Sequence, residues 1–458
     1  MNLLDLVNNR QETRLLRLSF PHNDGPSTPL LVNKLDAFEG LSRPFEYMVE
    51  LLADAPDLQL KDLQGKLMCV EMVRRDRTLR YFTGVVYSFS LRTVDGGVSY
   101  YTAALGPWTR YLSLRKDNYI FHNTTIYDQT ASIFGDYPGL AQWEWKVSGV
   151  DQVLTDCTQF DESDSNFLER RWHGCGIFYW YEHTATGHTM VLSNDSTRVA
   201  AIDGDREIPF QRHGGAIEED GIGEWSPVRH VAIGSVAMAS YDFKTARPTL
   251  TELGTINRQG DVPAIESYEY VGAYGFKDDQ AGRSLAQLKM EEMESAGKQF
   301  EGVGNNRNVM PGRWFRLVGH YDASDIEADS SDHEFIIVDA RHVATNNYQV
   351  REKEASHYDN RIICIRKIIP YRTPKSLNFV PTRIHGIQSA TVVGPAGEEI
   401  HTDEYGRVRV QFHWDRVGTG DERSSAWIRV ATPWTGENFG LTSIPRIGTE
   451  VLVQFLDG

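Results

Sequence analysis

The chain is written in short apolar runs rich in Val, Ile, Thr, Tyr and Phe, each cut off within a few residues by Gly, Asn, Asp or Pro. β-Branched and aromatic side chains crowd a helix but suit a pleated, half-buried surface, and closely spaced turn residues keep most runs too short for helices. Residues 78–105 read as two or three strands around an Asp-Gly-Gly turn at Asp95 to Gly97. Residues 176–195 form a second β block, turning near Thr186 and Gly187. Two helices are expected: one over 278–300, with Leu285, Leu288 and Met293 at helical spacing, and a shorter one over 163–172 capped at its start. The expected class is mainly β, with barrel modules braced by a few helices.

At 458 residues the chain is long for a single core and suggests about three modules at roughly 150 residues each. Residues 362–372 look like one more strand. The following stretch carries Pro374 and Pro381, which disfavour helix and strand alike and predict an extended linker. The expected division is a base over 1–375, a linker over 376–385 and a separate module over 386–458.

In that last module the sequence DEYGRVRVQFHWD, 403–415, alternates with period two. Val408, Val410, Phe412 and Trp414 share one face and Arg407, Arg409, Gln411 and His413 the other, as in a half-buried strand. Further strands are expected at 389–393, 425–434 and 449–458, enough for a small barrel. In the last of these Val451, Val453 and Phe455 lie on one face while Leu452 and Leu456 lie on the other. A barrel has one inside, so outward apolar groups call for a second surface, most economically another copy of the chain.

Charge and composition narrow the function classes. The formal charge of −16 has the wrong sign for an affinity that must come from neutralising phosphates, so nucleic acid is not an expected partner. The rival reading would stack bases on Trp414, Trp427 and Trp434 with Arg407, Arg409 and Arg429 alongside; the alternative is that the tryptophans pack and the arginines meet carboxylates. No run approaches the roughly 18 apolar residues that span a bilayer, and the first residues lack the pattern of a secretory leader. The sequons at Asn123 and Asn194 are then chance matches. Cys69, Cys157, Cys175 and Cys364 are scattered without a Cys-x-x-Cys pair, which indicates neither a disulfide framework nor a zinc ribbon.

Catalytic patterns are missing as well. No nucleophile elbow, phosphate-binding loop or His-Glu-x-x-His is present; His333-Glu334 is followed by Phe-Ile-Ile. Glu218, Glu219 and Asp220 are adjacent carboxylates, whereas glycosidase carboxylates oppose each other across a substrate, so a solvated loop is the better reading. His173, Cys175, His183 and His188 have the ligand chemistry for zinc, but their spacing fits no zinc finger and ordinary turn residues are expected instead. No catalytic, cofactor-binding or metal-binding residues are expected, and no cofactor.

The stretches 404–414 (EYGRVRVQFHW), 427–434 (WIRVATPW) and 444–455 (IPRIGTEVLVQF) resemble, in order, the OB-fold barrel of the VgrG spike family. Upstream, 157–183 (CTQFDESDSNFLERRWHGCGIFYWYEH) resembles that family's base, where a helix leads into a Gly-Ile-aromatic strand. Residues 171–175 depart from the more usual aliphatic and acidic approach. The resemblance implies a phage-tail-hub-like base of two related β-barrels followed by the OB-fold barrel, with the family's β-needle and any effector domain lying beyond residue 458. It further implies a homotrimeric puncturing spike at the tip of the type VI secretion tube, docking on the hexameric Hcp tube and on baseplate proteins. Effectors would attach through the part beyond the OB-fold barrel, and contact with a target-cell membrane would be transient. Such a protein is cytoplasmic until the machine fires and is then secreted without a signal peptide. The alternative is a hydrolytic cell-envelope enzyme, lysozyme-like or metal-dependent.

Overall fold

In the computed structural model, residues 14–456 are described except for 151, 212–219, 245–246, 256–258, 274, 277, 321–330, 347, 349–355, 376 and 437–438. The chain is mainly β, as its turn-punctuated sequence predicts. One sheet of twelve strands runs through the base. Its path begins with Leu16–Ser19, Leu67–Val73, Leu79–Asp95, Val98–Gly106, Arg43–Ala53 and Leu31–Gly40, then crosses to Glu334–Thr345, His357–Arg366, Lys298–Gly304 and Ile222–Arg229.

The crossing point is the architectural centre. Leu31–Gly40 pairs antiparallel with the second half of Glu334–Thr345, from Asp339 opposite Gly40 to Thr345 opposite Lys34. The first half of the same long strand pairs with Trp314–Val318, so one strand serves two neighbours in succession, with a bulge between Ile337 and Asp339 on its other side. Early and late parts of the base are thus one hydrogen-bonded surface. The pairing is an open path and closes into no ring among the described residues. Its last strand, Ile222–Arg229, carries Pro227 within it, a residue that edges tolerate because it donates no ladder bond.

Local chemistry explains the elements. Leu79–Asp95 and Val98–Gly106 turn through Gly96 and Gly97, both at positive φ (56° and 84°), the backbone that a two-residue hairpin of this hand demands. Phe178–Thr184 and Gly187–Ser193 pair from Phe178 opposite Ser193 to Thr184 opposite Gly187, which leaves Ala185 and Thr186 as the turn.

Helix α1 spans Ile126–Gly135, opened by a capping box between Thr125 and Asp128. Helix α2, Asp164–Gly174, is capped by Ser163, whose hydroxyl accepts from the Asn166 amide at 3.2 Å. Phe167, Leu168 and Trp172 form its buried stripe. Ser163→Ala should lower stability by about 1 kcal/mol, because one amide of the first turn loses its acceptor. Urea midpoints would measure this, and a shift within error would show that water caps the helix equally well.

Helix α3, Asp279–Gly297, is capped by Asp278, which accepts from Ala281 at 2.8 Å. It ends three residues before the expected limit, where Lys298–Gly304 turns into a strand of the main sheet. Its buried stripe is Gly282, Ala286 and Met290, while Leu285, Leu288 and Met293 are half-buried. The reason is close approach: a Cβ on Gly282 would lie 2.7 Å from the Thr251 hydroxyl. The helix lies against a separate three-stranded sheet, Arg247–Gly254, Ser235–Asp242 and Glu266–Ala273, through Val236 and Met238.

Ile362 to Arg372 is strand only as far as Arg366, at the end of His357–Arg366; Lys367 onward turns away. From Arg372 to His385 no helix or strand forms among the described residues. Ile387–Val393, Arg409–Phe412 and Glu450–Gln454 then make a three-stranded sheet, with a two-stranded ribbon of Trp434–Gly436 and Phe439–Leu441 beside it. Val408, Val410 and Phe412 are buried as the alternation requires, but the regular strand begins only at Arg409. The strand expected over 425–434 is not one. Its ladder contacts among the described residues are a bridge between Ile428 and Val408 and, at its last residue, the pairing of Trp434 with Leu441. Arg409 donates to the carbonyls of Glu422 and Ser425, at the approach to this stretch, at 2.5 and 3.0 Å.

Candidate functional site: a buried polar seam and an outward apolar face

Where the two parts of the sheet meet, the sequence buries charge. Glu39 ends Leu31–Gly40, Arg80 opens Leu79–Asp95 and His342 lies on Glu334–Thr345; all three are at most 5% exposed. Arg80 donates to Glu39 at 2.6 Å and to the carbonyls of Arg307 (3.2 Å) and Val309. His342 donates from Nε2 to Glu39 at 3.2 Å and accepts at Nδ1 from the Tyr358 hydroxyl at 2.8 Å, an arrangement that the neutral ring satisfies. The Tyr47 hydroxyl donates to Glu39 at 2.7 Å and can accept from His183 Nε2 at 2.9 Å.

Burial pushes the Glu39 carboxyl up, yet the Arg80 charge and the His342 bond outweigh it and hold it well below the usual range. Burial, reinforced by Arg80, pushes the His342 imidazole down to about 4. The seam is therefore one carboxylate, one guanidinium and neutral rings, each with hydrogen-bond partners. That composition holds a joint in register and offers no unoccupied nucleophile or base.

The C-terminal strands sit directly on the base. Arg416 reaches both oxygens of Asp117 at 3.0 Å, Trp414 packs edge-on against Phe160 at 5.3 Å, and Ile120 of the base joins the core around Val410 and Phe412. Leu452 on the last strand and Leu456 just beyond its end point outward, 73% and 66% exposed, with Trp434 at 66%. Phe439 and Leu441 are exposed beside Trp434.

The residues singled out for zinc separate into different roles. His183 belongs to the seam. His188 accepts the Trp108 amide at Nε2 at 3.0 Å, and its ring lies 6.0 Å from that of His183. His173 faces Glu292 at 3.5 Å and the Phe379 ring at 5.2 Å, and Cys175 closes α2. No grouping of three or more His, Cys, Asp or Glu side chains that could hold a metal occurs among the described residues. All four cysteines are free thiols.

The aromatic and basic set on the C-terminal strands does not converge either. Trp414 stacks on Phe412, the Arg409 guanidinium lies over Trp427, Arg407 pairs with Asp403 and Arg429 lies over Phe243. Glu218 and Glu219 lie outside the described residues; Asp220 sits 3.7 Å from Arg75 and 3.9 Å from Arg307. One cleft, about 500 Å³, is lined by Gln211, Asn305, Arg341, Asp359, Asn360 and Arg361 among others. The second, about 400 Å³, lies between α2, α3 and residues 372–383. Its Glu292 already accepts from Lys289 at 2.9 Å and from the Lys375 amide at 2.9 Å.

No pattern within a few residues of Glu39, Arg80 or His342 marks the seam, and only the tertiary pairing of residues 31–40 with 334–345 joins its early and late parts.

Two family profiles cover most of this architecture. Residues 38–348 match the phage tail baseplate hub (GPD) family, and residues 395–458 match the type VI secretion system/phage-baseplate injector OB domain. The type VI secretion system spike protein VgrG1b of Pseudomonas aeruginosa is 32% identical over 456 residues, covering 98% of this chain and 59% of its own length. VgrG1a of the same organism is 32% identical over 455 residues, covering 98% of this chain and 68% of its own length. Among solved structures, the E. coli c3393 protein, described as a type VI secretion component structurally similar to the T4 tail proteins gp27 and gp5, superimposes with a TM-score of 0.67. It shares 16% identity and covers 96% of this chain and 97% of its own. The chain thus spans between about three fifths and two thirds of these two curated relatives. By its hub-like base, its C-terminal OB domain and its identity to full-length spike proteins, the chain belongs to the VgrG spike family of type VI secretion.

Proposed function

We propose that this chain is the hub and neck of a homotrimeric puncturing spike, a structural protein without catalytic activity or cofactor. It divides into a base over 1–375, a connector over 376–385 and an OB-fold module over 386–458. The base docks on the hexameric Hcp tube and on baseplate proteins, and effectors travel on the part of the protein beyond this module. The protein stays in the cytoplasm until firing, then leaves through the machine without a signal peptide and touches the target membrane in passing.

The observation that carries this reading is the outward apolar face of the C-terminal strands. Leu452 on the last strand and Leu456 just beyond its end are each about two thirds or more exposed, while Val451, Val453 and Phe455 already fill the local core. Burying such residues against sister chains around an axis is worth about 1.5–3 kcal/mol for each fully covered leucine. Force from the contracting machine would then pass through interfaces that open only by exposing apolar surface.

Light scattering on the protein continued to the length of its relatives should give three chains per particle, each contributing 51.9 kDa from the part described here. Leu452→Asp together with Leu456→Asp should shift the mass toward one chain. A wild-type protein that remains a single chain at high concentration would overturn the proposal.

A further inference from the structure

The segment from Thr373 to Thr382 has no regular structure, yet it is laced to α2 and its surroundings at close intervals. Thr373 shares a hydroxyl pair with Ser42 at 2.6 Å, and the Lys375 amide donates to Glu292 at 2.9 Å. Asn378 donates to Glu169 at 3.1 Å and to the Ser42 carbonyl. Val380 exchanges two bonds with the Asn166 carboxamide, at 2.8 and 3.0 Å, and Thr382 donates to Glu162 at 2.8 Å. Asn166, Glu169 and His173, the last against Phe379, share one side of α2, and Glu162 lies at the end of the strand that leads into the helix, so the strap covers this side as a track. Since the strap leads directly into the C-terminal strands, its seating fixes where they sit.

One contact on the track differs from the rest. Glu292 has Lys289 beside it and Glu162 has Arg170, at 2.7 Å. Glu169, 8% exposed, has no cation. It accepts from the Tyr179 hydroxyl at 2.7 Å and from Asn378. The cations on the elements around it are engaged elsewhere: Arg171 with Gln129, His173 with Glu292, Arg372 with Glu291, Lys375 with Glu269 and Arg43 with Asp339. The remaining titratable neighbours that face it are the phenols Tyr179, Tyr181 and Tyr371; the Tyr179 hydrogen bond eases its charging, but none of the three supplies a positive charge.

We propose that Glu169 and Asn378 form a proton-linked latch, which seats the strap, and with it the C-terminal module, more firmly when Glu169 carries a proton. A carboxyl buried without a cation prefers its neutral form, and here burial raises it to about 7. Freed from the strap and wetted, it returns to the ordinary range near 4.5. The docked state binds the proton more tightly, so docking strengthens as pH falls from about 7 toward 4.5 and levels off outside that window. Asn378 Nδ2 also donates to the Ser42 carbonyl, so it stays a donor in both states and gives its hydrogen to the carboxylate or to the carbonyl oxygen of the neutral acid.

The readout is amide exchange of residues 377–382, corrected for the intrinsic effect of pH on exchange. In the wild-type chain, protection should rise about tenfold between pH 8 and pH 6, the linkage expected for a group moving from about 7 to 4.5. Glu169→Gln, which keeps the shape and both kinds of hydrogen bond, should hold protection high and flat across that range. Asn378→Ala should lower protection at every pH without unfolding α2, whose own amides serve as the internal control. Wild-type protection that ignores pH, or a Glu169→Gln variant that keeps the wild-type slope, would overturn the latch.

Discussion

Replacing Arg80 with alanine should lower folding stability by roughly 3–5 kcal/mol, as seen when one partner of a buried ion pair is removed. The substitution strands the Glu39 carboxylate at the seam, where Tyr47 and His342 can donate to it but no cation remains. It also leaves the carbonyls of Arg307 and Val309 without their donor. The damage should be felt on both sides of the crossing, because Arg80 and Glu39 lie on the early strands while His342 lies on a late strand and Arg307 and Val309 on the loop between two others. Denaturant titration followed by far-ultraviolet circular dichroism would read the loss. Arg80→Met combined with Glu39→Leu should recover part of it, leaving the deficit of the unpaired Tyr47 and His342 groups, about 1–3 kcal/mol each. If Arg80→Ala moves the midpoint no more than a surface substitution, the seam is wet and does not hold the base together.

Acid should destabilise the base through His188. Its Nε2 accepts the Trp108 amide, so a second proton there would set two donors face to face, and burial together with nearby His183 pushes the ring down to about 3. Its folded value lies below the unfolded 6.5, so the unfolded chain takes up the proton first. Stability is full above pH 6.5 and is lost as pH falls toward 3, by about 4–5 kcal/mol at the limit. His342, at about 4, adds to the loss over the upper part of that window. Glu169 acts in the opposite sense between pH 7 and 4.5, so the wild-type curve is a sum and the informative quantity is a difference. His188→Gln can still accept from Trp108 but cannot be protonated. Relative to wild type it should gain stability steadily from pH 6.5 to pH 4 in urea titrations. Parallel curves for the two proteins would show that His188 is already solvated and titrates freely.

Local patterns in the chain were a good guide wherever short-range chemistry decides the outcome. The Asp95–Gly97 turn, the Ser163 cap, the Asp278 start of α3 and the inward set Val408, Val410 and Phe412 all follow from interactions within a few residues. Failures came where a neighbour distant in sequence competes. The stretch 425–434 meets the sheet only through the Ile428 bridge to Val408 and the pairing of Trp434, while Arg409 bonds across to 422 and 425, and close packing on Thr251 turns Gly282 rather than Leu285 into the core of α3. The connector, expected as an extended linker, is bound to α2 by side chains that share no sequence pattern with it.

The sequence by itself determined the mainly β class, the places where strands turn and helices start, and the kinship of the C-terminal strands, because each depends on side-chain periodicity or on turn chemistry confined to a short stretch. Tertiary structure alone decided that early and late strands share one sheet, that Glu39, Arg80 and His342 meet inside it, and that Glu169 is buried without a cation. A residue's neighbours across a sheet can lie some three hundred positions away. Whether a charge is solvated, paired or isolated depends on those neighbours and not on the residues beside it in the chain.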